Sequence, residues 1–167
     1  MVIHIIVEIL ILWCLFAVYM AVLVGGKGPL GGIQFYPVEV QKRVMEMKLI
    51  TKEQIKKQKI ISLLLLVFLD ITVLFYMIHF INKAESYWEC IWQWYVLFIG
   101  QELFDWLVVD VFWVAATSWW IIPGTEDLLY LWHDPRIKLK GKLKLFPAAV
   151  PVAAIVGGLC YLISHML

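Results

Sequence analysis

Four acidic residues stand where a chain this apolar tolerates them least. Asp70 lies near the middle of the apolar stretch 60–81, and Glu102, Asp105 and Asp110 lie within the stretch 87–122. A charged side chain at the centre of a bilayer costs about 2.5–3.5 kcal/mol on insertion scales, and acids retained at that depth are commonly functional. Such a carboxyl has to take up a proton, meet polar neighbours, face a water-filled cavity or hold a cation. On a regular helix, at about 100° per residue, Glu102, Asp105 and Asp110 fall within an arc of about 140°. Tyr95, Phe98, Trp106, Trp113 and Thr117 share that arc, and aromatic faces attract cations. The pattern predicts a partly dry pocket that binds a proton, a metal ion or a lipophilic organic cation. Asp70, Glu102, Asp105 and Asp110 would be its ligands or proton acceptors, and Tyr95, Trp106 and Trp113 would shape it. The plainer alternative is that the acids are protonated and hydrogen-bond to Thr72, Gln101, Thr117 or Ser118 across helices.

A second group lies further on, in Glu126, Asp127, His133 and Asp134, with lysines close behind. These side chains could hold a divalent metal, the one cofactor the sequence brings into view, and the lysines a phosphate or lipid headgroup. Ordinary helix punctuation explains them as well, with Thr125 as a cap, Glu126 and Asp127 in a first turn and a stop at Pro135. His4, His79 and His165, with Glu8 and Glu89 at similar height, read as solvated interfacial side chains, a shared metal site being the alternative. Nucleophilic catalysis has little support, because the serines stand in no GxSxG context and no HExxH or CxxCH run occurs. Cys14, Cys90 and Cys160 are scattered singly and read as small buried hydrophobes.

The elements that must position these groups follow from composition. Of 167 residues, 63% are hydrophobic and only 16% charged, with a mean hydropathy of +0.85. Soluble domains run near ~45–50% apolar and ~25% charged, so a soluble globular domain, a disordered chain and a disulfide-rich module are all excluded. A net charge of +1 gives no bulk field for nucleic acid. The sequence predicts an all-α, polytopic bundle, a single membrane domain with four transmembrane helices at about 2–24, 60–81, 87–122 and 145–165. The third is unusually long, and the loops 25–59 and 123–144 are cytoplasmic. No Lys or Arg falls within those four stretches, so no intramembrane ion pair is expected for the acids.

Charge position sets the predicted orientation. The basic residues concentrate in 42–59 and 136–144, and Lys and Arg mark the cytoplasmic side. With both segments inside, a single crossing has to connect Lys83 to His133, and both termini lie outside the cell membrane. The start MVIHIIVEIL lacks the basic region and cleavage site of a signal peptide and is kept as a span. Pro37 followed by alternating apolar and charged residues predicts an interfacial helix between the first two spans, and Thr51 with Gln54 forms a capping box before the second. The glycine-rich run 25–32 reads as a flexible exit from the first span, and Pro147, Pro151, Gly157 and Gly158 predict a closely packed, kinked fourth span.

Three functions fit these features. The first is cation binding or transport through the carboxylate and aromatic pocket, with a homo-oligomer needed for transport. The second is a metal-dependent membrane enzyme acting on a lipid or isoprenoid. The third is an accessory subunit whose acids pair with a partner's basic residues in the bilayer.

Overall fold

The computed structural model describes residues 2–166, and every element among them is helical. Helix α1 spans Val2–Gly25, a 3-10 turn spans Gly28–Phe35, and α2 spans Val38–Glu46. Helix α3 spans Lys52–Tyr76 and runs on into a π turn, Met77–Ile81; α4 spans Tyr87–Phe104 and runs on into an eleven-residue π-helix, Asp105–Ala115. Short 3-10 turns at Ser118–Trp120 and Glu126–Leu131 lead to α5, Pro135–Met166.

Three stretches are long and apolar enough to cross a membrane: Ile3–Gly25, Lys52–Ile81 and Glu126–Ile163. Their apolar side chains point outward as well as inward. Val7, Leu10 and Val18 of α1, Leu63, Leu64 and Phe68 of α3, and Val150, Ile155 and Leu162 of α5 are all exposed. A helix apolar all round is stable only where that surface leaves water, so the surface, like the composition, is consistent with a membrane protein.

Local sequence explains where the helices begin. Thr51 accepts from the Gln54 backbone while Gln54 Oε1 accepts from Thr51 N, and Ser86 and Glu89 repeat the arrangement at α4. Both pairs satisfy donors that open a helix unpaired. Asp134 caps α5, its carboxylate accepting from Arg136 N at 2.8 Å, with Pro135 at the first helical position.

Helices α4 and α5 pack antiparallel along their length. Tyr87 Oη donates to Ala154 O and Tyr95 Oη to Phe146 O, both at 3.3 Å. Gly157 lets the backbones approach, since a Cβ there would lie 2.9 Å from the Ile91 backbone. Helix α1 runs beside α4, with Trp13 Nε1 donating to Gly100 O, and antiparallel to α3, with Tyr19 Oη donating to Ser62 O. The two ends of the bundle therefore differ. Val2, Ile81–Tyr87 and His165 lie at what is termed the upper end, and the segments 25–51 and 116–134 close the lower end.

The fold departs from the sequence reading in four places. The stretch 87–122 is not one helix, because winding stops at Ala116 and the backbone extends at Thr117. The segment 135–144 is no loop; it forms the first turns of α5, and Pro135 starts a helix where it was expected to end one. As a result, basic residues do lie along a long apolar helix beside the acids. Finally, the glycine run is packed: Gly31 and Gly32 are buried in the 3-10 turn, and a Cβ on Gly31 would come within 2.3 Å of Leu23 O.

Candidate functional site

The lower half of the bundle encloses a cavity of about 180 Å³. Asp70, Glu102, Asp105 and Asp110 all border it, with Gln101 and Lys138. Phe16, Tyr19, Tyr36, Trp120 and Trp132 supply aromatic wall. The four acids read from sequence thus share one space, contributed by α3, α4 and the π-helix.

The π winding brings Asp110 to the same wall as Asp105. A π-helix closes its turns from residue i to i+5, so residues five apart stack. In an α-helix the same two residues would diverge by about 140°. The departure from regular winding is the means by which this stretch aims two acids at one cavity.

Each acid has a named partner. Gln101 Nε2 donates to Asp70 Oδ1 at 3.1 Å. Lys142 Nζ donates to both Glu102 and Asp105, the latter at 2.5 Å, and Lys138 Nζ donates to Asp110 Oδ1 at 3.3 Å. Lys138 and Lys142 are four residues apart and so share one face of α5. Buried charges of this kind survive only when paired and hydrogen-bonded, and α5 meets that requirement from within the chain. The absence of basic partners expected from sequence is therefore overturned. Three of the four carboxylates share two lysines, and Asp70 has only a neutral partner among the described residues.

The aromatic residues sort differently from the prediction. Tyr95 turns to Phe146 O, Trp106 Nε1 donates to Pro135 O at 3.3 Å, and Trp113 stacks with Trp119 and meets Trp120 edge-on. All three brace the surrounding helices, and none borders the cavity. The wall residues that sequence reasoning missed, Tyr36, Trp120 and Trp132, come from the connections at the lower end. Tyr36 Oη donates to Trp120 O at 2.6 Å, and its ring meets Trp132 edge-on at 4.7 Å. Burial pushes the Tyr36 phenol above its ordinary range. No spacing in the sequence joins these three, but Asp134-Pro135 is a helix-start signal that would have placed Lys138 and Lys142 on a helix.

The second group does not assemble. Asp127 pairs with Arg43 at 3.2 Å on the surface, Glu126 accepts from Gly124 N, and Asp134 caps α5. His133 Nε2 is buried apart from them without a hydrogen bond. Among the described residues no group of three or more His, Cys, Asp or Glu side chains converges to hold a metal. At the upper end His4 and Glu89 border one cavity, while His79 and His165 border another.

No protein family, curated protein or solved structure matches this chain, so the reading of the cavity rests on its chemistry.

Proposed function

We propose that this protein is a four-span membrane protein that binds and moves a lipophilic organic cation through the lower cavity. The observation that carries the reading is Asp70, a carboxylate on an aromatic cavity whose only polar partner among the described residues is the neutral amide of Gln101. An organic cation offers Asp70 the charge it lacks, and its apolar body fits against Tyr19, Tyr36, Trp120 and Trp132. When no cation is bound, a proton on the carboxyl removes the cost of the buried charge, and exchange of proton for cation is the elementary step of transport.

A count of four spans is supported by the packing of α4 and its π-helix along α5, which would carry both through the same thickness of bilayer. Both basic segments lie at the lower end, so that end faces the cytoplasm, with α2 at the interface. An assembly of two or more copies would complete a pathway that a bundle this small only begins.

Tetraphenylphosphonium is the probe. Quenching of tryptophan fluorescence in the purified protein should saturate, because Trp120 and Trp132 border the cavity. Asp70→Asn keeps the side-chain shape and should weaken binding at least about tenfold, or about 1.4 kcal/mol. Unchanged affinity in both Asp70→Asn and Glu102→Gln would remove the proposal.

A further inference from the structure

The upper half of the bundle contains a separate set of oxygen atoms that lack a donor. Glu8, in the second turn of apolar α1, is 2% exposed. Its Oε2 accepts from Asn82 Nδ2 at 3.0 Å, and its Oε1 has no partner. Gln93 of α4 is 5% exposed, and its Oε1 is also without a partner. Asn82 and Gln93 border the same cavity of about 290 Å³, together with His4, Lys83 and Glu89. Two buried acceptors with nothing to accept from are unusual, because buried polar atoms are almost always paired.

The charges around them narrow the chemistry. Unlike Glu102, Asp105 and Asp110, Glu8 forms no ion pair among the described residues. Glu89 is engaged at the start of α4, where its Oε2 accepts from the backbones of Glu85 and Ser86. One carboxylate with neutral amide oxygens suits a single positive charge held by hard oxygen ligands, and the cavity has room for waters to complete its shell. The Lys83 ammonium, which borders the same cavity, repels a divalent ion twice as strongly as a monovalent one.

We propose that Glu8 and Gln93 form a site for a monovalent alkali cation of the sodium class, entered from the upper cavity past Asn82. Leu12, Leu74 and Leu97 are buried in the packed cluster of this half, and neither Glu8 nor Gln93 borders the lower cavity that holds Asp70. The site is thus distinct from the one proposed for an organic cation.

The test follows thermal unfolding of the purified protein by tryptophan fluorescence in NaCl, in KCl and in choline chloride of equal ionic strength. A ligand that binds only the folded state raises the midpoint with concentration. Sodium or potassium should raise the midpoint saturably above the choline series, and Glu8→Gln should abolish the difference. Gln93→Met leaves Glu8 in place and should raise the half-saturating salt concentration at least tenfold. Asp70→Asn should leave the alkali response intact even if it abolishes binding of the organic cation. Coincident alkali and choline series in the unaltered protein would overturn the proposal. So would a full sodium response in Glu8→Gln, or an unshifted one in Gln93→Met should Glu8→Gln not fold.

Discussion

Lys142 of α5 lies between Glu102 and Asp105 of the neighbouring helix, one ammonium shared by two carboxylates three residues apart. The side chain is 14% exposed, so little solvent screens the pair. The arrangement fastens α5 to the junction of α4 and its π-helix, and it does so at the wall of the lower cavity.

Removing the ammonium strands both acids. Lys142→Met should destabilise the protein by about 3–5 kcal/mol, the range for a buried charge that loses its partner. Adding Glu102→Gln and Asp105→Asn to Lys142→Met should recover most of that loss, because the stranded charges go with them. Chemical denaturation in detergent measures both effects, and simple additivity of the three substitutions would contradict the pairing.

The closeness of α4 and α5 depends on Gly157. Gly157→Ala places a methyl 2.9 Å from the Ile91 backbone, which has to move for the methyl to fit, and overpacking of this kind costs about 1–3 kcal/mol. Gly141, on the same helix, has nothing within 4 Å of its Cβ position. Gly141→Ala should therefore stabilise by about 0.5–1 kcal/mol through helix propensity alone. Opposite shifts in melting temperature for these two alanines are the expected result.

Tyr36 links the lower connections to one another and gives the protein an alkaline limit. Tyr36→Phe leaves the Trp120 carbonyl without its donor and should cost about 1–3 kcal/mol. Burial raises the folded phenol above its unfolded value, so folding favours the protonated form. That contribution is fully present below about pH 10, the unfolded value, and is lost as pH rises from there toward the folded value. Melting temperature should thus fall more steeply above pH 10 in the unaltered protein than in Tyr36→Phe.

The sequence carried its own evidence for an all-helical apolar chain, for the capping box at Thr51, for the helix after Pro37 and for the four acids as a group. These are local signals, written in composition, periodicity and the residues that open a helix. It misread the stretch 87–122 because apolar composition does not register where winding changes or stops. It misread 135–144 because a run of lysines resembles a loop when its neighbours in space are unknown.

Only the tertiary structure decided what the acids are worth. Lys142 lies forty residues from Glu102 along the chain, and no spacing rule connects them; antiparallel packing of α5 on α4 does. The same holds for Trp120, Trp132 and Tyr36, which meet at one wall because the connections at the lower end fold back over the cavity. Sequence determines which groups are costly to bury, since that cost belongs to the side chain. Packing determines which groups offset it, since an ion pair acts only over a few ångströms.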